Sequence, residues 1–135
     1  MRFMIIGRAT KESEAGTLPS AEAMAAMQAY NEKLVKAGIL LAAEGLSPSR
    51  KGARVQFDGD ERTVIDGPFT ESKELIAGFT IIQARSLEEA IEWVKQAPNL
   101  SPDGRAVVEI RKVMDLEDFG DAFTPNEEIA KVKIR

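Results

Sequence analysis

The stretch that decides the fold is residues 66–74, which read DGPFTESKE and follow an alternating run that is typical of a strand. Gly67 relaxes the backbone, while Pro68 fixes its own φ angle and favours an extended residue before it, so the pair predicts a turn. Asp66 is therefore expected at a strand end. Phe69 is expected to be held by a rigid corner, and we call residues 66–69 the DGPF corner.

The composition predicts one soluble globular domain. The chain has 135 residues, of which 44% are hydrophobic and 30% charged, enough to bury a core. The formal net charge is −4, which argues against a nucleic-acid partner because such a partner requires a basic surface. The chain has no cysteine and no histidine, so thiol chemistry and the usual neutral-pH acid–base group are excluded.

No targeting or membrane segment is expected. The apolar run at residues 3–6 is too short for a signal peptide, and no run approaches the roughly 18 apolar residues of a membrane helix. These features predict a cytoplasmic protein. The chain also lacks phosphate-binding and dinucleotide-binding glycine motifs, so we predict no cofactor and no metal.

Apolar periodicity predicts the order strand, helix, strand, hairpin, strand, helix, strand. The elements are expected at residues 3–6, 20–38, 39–43, 54–65, 75–84, 86–97 and 106–113. Ser20 and Ser86 are expected to cap the two helices, and Asp58-Gly59 to form the hairpin turn. Residues 8–17 are expected to be a loop. The strand through Val55 and Phe57 is expected to be half-buried, and Gly78 predicts a bulge or a close backbone approach. Residues 1–113 would form one domain, with residues 114–135 as an extension packing on it or on a partner subunit.

This order predicts an α+β fold with two helices on one face of a ferredoxin-like antiparallel sheet and an additional β-hairpin. The other face of such a sheet stays uncovered unless something packs on it. Homodimerisation through this open sheet face, which closes two sheets into a barrel, is the economical solution.

Several segments together resemble the DGPF branch of the YCII-related proteins. Beyond the DGPF corner, the similar segments are at residues 34–38, 44–49, 71–74, 78–79, 88–93, 108–111 and 117–120. The resemblance implies a dimeric α+β barrel, in agreement with the fold predicted from the order of strands and helices. Some members have a proposed catalytic histidine–aspartate pair, whose aspartate matches Asp66, and relatives often carry histidine or glutamine where this chain has Ser47. Because this chain has no histidine, that mechanism does not transfer.

Asp66 is the candidate catalytic residue. A carboxylate at a strand end beside Phe69 could act as a general base, whereas the structural alternative is a side chain that hydrogen-bonds the amides of its own turn. The candidate substrate-binding residues are Phe69, Glu44, Ser47, Arg54 and Lys73. Glu44 is expected to face Asp66 across the sheet or to be a lone solvated acid, while Arg54 and Lys73 are candidate anion ligands.

Two functions stay open. The first is a small-molecule site with cofactor-independent acid–base chemistry at Asp66. The second is a non-enzymatic ligand-binding or regulatory homodimer. The resemblance favours regulation in one respect, because genes of this branch often neighbour those of extracytoplasmic-function sigma factors.

Overall fold

The computed structural model describes residues 1–70 and 74–122. Its strands are β1 (Arg2–Arg8), β2 (Leu40–Gly45), β3 (Ala53–Asp58), β4 (Glu61–Asp66), β5 (Ile76–Gln83) and β6 (Val108–Lys112). Its α-helices are α1 (Lys11–Glu14), α2 (Ala21–Lys36) and α3 (Leu87–Val94), and 3-10 segments cover Ser49–Lys51 and Leu116–Ala122.

The α+β architecture is the predicted one. Four strands form an antiparallel sheet in the order β2-β5-β1-β6, while β3 and β4 form a separate two-stranded hairpin. This is the ferredoxin-like order with an additional hairpin, because β1 and β5 are central and each helix connects two strands of the sheet. The Gly59-Asp60 turn joins β3 to β4, as the Asp58-Gly59 pair predicts.

The core lies between the four-stranded sheet and the two long helices. Phe3 and Ile82 contribute from the sheet, Leu34 from α2 and Ala90 from α3, and each is at most 2% exposed. Tyr30 packs against this cluster, and its hydroxyl donates to the backbone carbonyl of Trp93 at 2.8 Å. Burial raises the pKa of Tyr30. The helices therefore cover one sheet face, as predicted.

Capping residues determine where the two long helices begin and end. The Ser20 hydroxyl accepts the amide of Ala23 at the start of α2, and the Ser86 hydroxyl accepts the amide of Glu89 at the start of α3. Gly38 follows α2 with a φ of +73°, a conformation that favours glycine. These local signals explain why both helices lie where the sequence predicts them.

Gly78 is required where β2 and β5 approach each other. A Cβ atom at this position would lie 2.7 Å from the carbonyl oxygen of Glu44 and 3.3 Å from the Cα of Gly45. The pairing of β1 with β5 also shifts register here, since Gly7 pairs with Gly78 but Arg8 pairs with Ile76. The prediction of a bulge or a close backbone approach at Gly78 is confirmed, and the structure shows both.

The structure corrects two predictions. Residues 8–17 are not only a loop, because α1 forms there and is capped reciprocally by Thr10 and Ser13. The strand through Val55 and Phe57 is not half-buried, since every residue of β3 and β4 is exposed. The physical reason is that the hairpin lies outside the sheet, so its alternating pattern faces solvent on both sides.

Candidate functional site at the DGPF corner

The DGPF corner is anchored to residues 49–52. The amide of Gly67 donates to the carbonyl of Gly52 at 3.0 Å, and the amide of Phe69 donates to the Ser49 hydroxyl at 3.0 Å. The Gly67–Pro68 peptide bond is cis. A Cβ atom at Gly67 would collide with the carbonyl oxygen of Ser49, so only glycine fits. These contacts fix the backbone that carries Asp66.

Ser49 also joins the corner to α1 through Glu14. Its hydroxyl donates to one Glu14 carboxylate oxygen at 2.5 Å, and its amide donates to the other at 3.0 Å. These two hydrogen bonds, the side-chain one first, lower the pKa of Glu14, and the nearby charge of Arg50 acts in the same direction. The Ser49 hydroxyl thus bridges the Glu14 carboxylate and the Phe69 amide, and it is engaged as both donor and acceptor.

Arg54 and Phe69 form a stacked pair beside the corner. The guanidinium carbon of Arg54 lies 3.9 Å from the centroid of the Phe69 ring, within the range of a cation–π contact. Phe69 is half-buried. Two of the predicted binding residues are therefore in direct contact.

The side chain of Asp66 lies on the other face of the hairpin. Asp66 pairs with Ala53, whereas Arg54 pairs with Ile65, and successive residues of a strand point to opposite faces. Asp66 is exposed. Within residues 1–70 and 74–122, its carboxylate makes no hydrogen bond or ion pair, and the corner amides of Gly67 and Phe69 bond to Gly52 and Ser49 instead.

The remaining predicted site residues lie elsewhere. Glu44 is exposed on β2 and pairs with Phe79 in the four-stranded sheet. The expectation that it faces Asp66 across a sheet is wrong, because Asp66 belongs to the separate hairpin. Ser47 is exposed in the loop after β2. Lys73 lies outside the described residues.

Sequence reasoning missed the contact of Glu14 with Ser49. The two residues are 35 positions apart, and both lie in segments expected to be loops. No local signal in either segment points to this contact, since Thr10 and Ser13 cap α1 without the Ser/Thr-x-x-Glu/Gln pattern of a capping box. Among the described residues, no cluster of three or more acidic side chains is placed to hold a metal ion, and no helix is long and apolar enough to cross a bilayer.

The fold and the corner define a class of small α+β proteins that combine a ferredoxin-like sheet with an exposed hairpin. A model of the YCII-related domain matches residues 1–117, so the chain belongs to the YCII-related family. A protein of Rhizobium meliloti (strain 1021), described as uncharacterized, is 36% identical over 76 residues. That match covers 56% of this chain and 61% of the relative, which is less than two thirds of the relative's length.

One similar solved structure is 5-chloro-2-hydroxyhydroquinone dehydrochlorinase from Burkholderia phenoliruptrix AC1100, in complex with 2,5-dihydroxybenzoquinone. It is 18% identical, and the alignment covers 87% of this chain and 98% of the other, with a TM-score of 0.46.

Proposed function

We propose that this protein binds a small molecule through Asp66. One observation supports this proposal most: Asp66 is fixed at the end of β4 by an anchored corner, yet its exposed carboxylate makes no hydrogen bond or ion pair within the described residues. A carboxylate that anchored its own turn would accept the corner amides, which here bond to Gly52 and Ser49. The carboxylate is thus available to a ligand and held in a defined place.

The surroundings of Asp66 indicate the class of ligand. The register of β3 and β4 places Asp66 on the same hairpin face as Ala53, Val55 and Val64, which are apolar. An ionised carboxylate only accepts hydrogen bonds, so the ligand must supply a donor. We infer a molecule with an apolar body and an amine or hydroxyl group, because this exposed face offers apolar side chains beside one hydrogen-bond acceptor.

We favour ligand sensing over turnover as the use of this site, which makes the protein a non-enzymatic, regulatory binding module. The chain has no histidine or cysteine, and the Ser49 hydroxyl is engaged by Glu14 and Phe69. Glu44, the second carboxylate considered, belongs to the other sheet. Neither Ser49 nor Glu44 is therefore placed beside Asp66 as a second acid–base group. Proton-transfer chemistry usually needs a second group of this kind.

Acid–base chemistry at Asp66 is the second candidate, because the exposed carboxylate is open to the proton of a carbon acid. Phenylacetone in D2O is a simple probe, since it combines an apolar ring with a carbon acid. Deuterium incorporation above the buffer rate that Asp66→Asn abolishes would support catalysis. Equal rates for wild type, variant and buffer are expected if the protein only binds.

Binding itself is tested by titrating phenethylamine and benzyl alcohol into the labelled protein and following backbone amide NMR signals. We expect shifts near residues 66–69 in the wild type and in Asp60→Asn, an exposed acid in the turn of the same hairpin. Asp66→Asn should weaken binding about tenfold or more, as is typical for loss of a charged hydrogen-bond acceptor. Equal binding by Asp66→Asn, or none by the wild type to either probe, would contradict the proposal.

We also propose that the protein is a homodimer that associates through the sheet face away from the helices. Cross-strand pairing places two rows of side chains on that face: Glu44, Phe79, Ile6 and Glu109 in one, and Ala42, Ile81, Met4 and Arg111 in the other. The first row is apolar in the middle and charged at both edges, and the second is charged at the β6 edge; Ile81 in the second row is already buried within one chain. Such a surface, apolar at the centre and charged at the rim, is typical of an interface.

A further inference from the structure

The short helix α1 contacts the base of the DGPF corner through polar groups. No residue of α1 is buried, so the helix has no apolar side chain packed into the core. Glu14, its last residue, binds Ser49 twice: one carboxylate oxygen accepts the Ser49 amide at 3.0 Å, and the other accepts the Ser49 hydroxyl at 2.5 Å. Both residues are half-buried. Glu14 therefore joins α1 to the segment that anchors the corner.

Glu14 also determines the orientation of the Ser49 hydroxyl. A hydroxyl has a single hydrogen, and here it points at the Glu14 carboxylate, which leaves the oxygen lone pairs for the Phe69 amide at 3.0 Å. The charge of the carboxylate strengthens this arrangement, because hydrogen bonds to an ionised acceptor are roughly twice as strong as those between neutral groups. Without that acceptor the hydroxyl rotates, and the Phe69 amide loses a lone pair held in a fixed direction.

The bond from Phe69 to Ser49 continues the hydrogen bonding of the hairpin past Asp66. Asp66 is the last residue of β4. The amide of Gly67 donates to the carbonyl of Gly52 at 3.0 Å, and the bond from Phe69 to Ser49 then closes the corner. Loss of this last bond loosens the residues that directly follow Asp66. The direction of the Asp66 carboxylate therefore depends on the Ser49 hydroxyl.

We propose that Glu14 is a positioning residue for the Asp66 site and that it acts through Ser49. The proposal rests on the binding function proposed above, and it adds the charge of Glu14 as a condition for full affinity. Ser49 lies between Glu14 and the corner, so Glu14 does not touch the ligand. Its role is to order the corner, which in turn holds Asp66 where the ligand meets it.

The groups around Glu14 favour its ionised form. The hydrogen bonds from Ser49, the side-chain one first, lower the pKa of Glu14, and the charge of Arg50 acts in the same direction. Arg50 faces Glu14 from the 3-10 segment and reaches the end of α1, since one guanidinium nitrogen lies 3.0 Å from where a Cβ atom at Gly16 would be. On the helix itself, Lys11 lies one turn earlier. Arginine stays protonated, so Glu14 is the member of this pair that titrates in the acid range.

The first test repeats the NMR titration with the same two probes in Glu14→Gln and Glu12→Gln. Both variants remove one negative charge from α1, and Glu12 is exposed. We expect Glu14→Gln to weaken binding about threefold or more at neutral pH, as is typical for residues that act on a site through intervening contacts. Glu12→Gln should bind like the wild type. A loss of the same size in both variants would overturn the proposal.

Further variants test whether the effect passes through Ser49. Ser49→Thr keeps the hydroxyl and should bind like the wild type, whereas Ser49→Ala should bind about as weakly as Glu14→Gln. Adding Glu14→Gln to Ser49→Ala should weaken binding little further, because both changes remove the same contact. Additive losses in the double variant would show that Glu14 acts by another route and would overturn the proposal.

The pH profile separates the charge of Glu14 from a merely structural role. The ratio of wild-type to Glu14→Gln affinity should be largest at neutral pH and fall towards one as the pH drops below 4.5, the ordinary pKa of this group, because Glu14 then loses its charge. Both proteins contain Asp66, so the contribution of Asp66 cancels in the ratio. A ratio that stays constant as the pH falls would refute the dependence on charge.

Failure of this proposal and failure of the binding function give different results. If the wild type binds the probes and Glu14→Gln binds them equally well, Asp66 keeps its ligand and the positioning role is overturned. If the wild type binds neither probe, the binding function is overturned and this proposal falls with it.

Amide hydrogen exchange in the ligand-free protein gives an independent check. The Phe69 amide donates to the hydroxyl that Glu14 orients, so it should exchange about threefold faster or more in Glu14→Gln than in the wild type or Glu12→Gln. An unchanged rate in Glu14→Gln would overturn the proposal whatever the titration shows.

Discussion

The four-stranded sheet and the hairpin are both antiparallel β-structure, but they are stabilised differently. Phe3 and Ile82 in the sheet are 2% and 1% exposed, whereas Val55 and Val64 in the hairpin are more than half exposed. The sheet has two helices against one face, and the hairpin has no such layer. The comparison teaches that apolar residues in a strand can belong either to a core covered by helices or to a surface exposed to solvent.

The largest expected difference between the sheet and the hairpin is in the free energy of unfolding lost when an apolar side chain is shortened. Ile82→Ala removes a side chain packed with Phe3, Leu34 and Ala90, so it should lower the free energy of unfolding by about 2–5 kcal/mol. Val64→Ala, measured at a protein concentration where the chain is monomeric, should cost about 0.5 kcal/mol or less. Urea unfolding measures both. Equal losses would mean that the hairpin is packed within one chain.

The second effect sharpens the comparison inside the sheet. Gly78→Ala introduces a Cβ atom 2.7 Å from the Glu44 carbonyl, a backbone atom that cannot move without shifting β2. We expect a loss of about 1–3 kcal/mol in unfolding free energy. Gly45→Ala is the matched control, because its Cβ atom would meet nothing within 4 Å. An unchanged stability of Gly78→Ala would refute the close approach as a constraint.

Sequence reasoning succeeded where the signal was local. The cap residues Ser20 and Ser86, the Asp58-Gly59 turn and Gly78 each act on their immediate neighbours, so they could be interpreted without the fold. The burial of Val55 could not be predicted in this way. Alternation indicates that a strand has one apolar and one polar face, but it does not show whether anything covers the apolar face.

The candidate site was predicted less completely, since it depends on long-range contacts. Asp66 and Phe69 were placed at the strand end and the corner, and Phe69 does meet Arg54. The Glu14–Ser49 contact joins two segments without strong periodicity, and no pattern in either predicts it. Glu44 and Asp66 both end strands, but strand ends alone do not tell which sheet a strand joins. The catalytic role of Asp66 stays a prediction.

The third effect concerns the base of the hairpin, where it joins the body of the protein. Ser49→Ala removes the hydroxyl that accepts the Phe69 amide and donates to Glu14, and we expect a loss of about 1–2 kcal/mol from these two hydrogen bonds. Ser47→Ala, in the same loop and exposed, should leave the unfolding free energy unchanged. If both variants unfold like the wild type in urea, Ser49 does not anchor the corner.

The smallest effect is a pH dependence at the same junction. Hydrogen bonds from Ser49 lower the pKa of Glu14 below its ordinary value of 4.5. A depressed folded-state pKa stabilises the protein above the unfolded-state value, and this stabilisation is lost as the pH falls through the folded-state pKa. The stability difference between wild type and Glu14→Gln should therefore be largest at neutral pH and shrink below about pH 4.5.

Glu12→Gln, an exposed acid on the same short helix, is the control for that measurement. Urea unfolding across the pH range follows each variant. A wild-type advantage over Glu14→Gln that persists unchanged at low pH would show that the Glu14 charge contributes nothing through Ser49.

The central claim, that the helix-covered face of the sheet is packed within one chain while the hairpin is not, is tested most directly by amide hydrogen exchange. The measurement follows β3, β4 and β5 in native buffer. We predict that amides of β5 exchange much more slowly than amides of β3 and β4. Hairpin amides that are as well protected as those of β5 would contradict the claim.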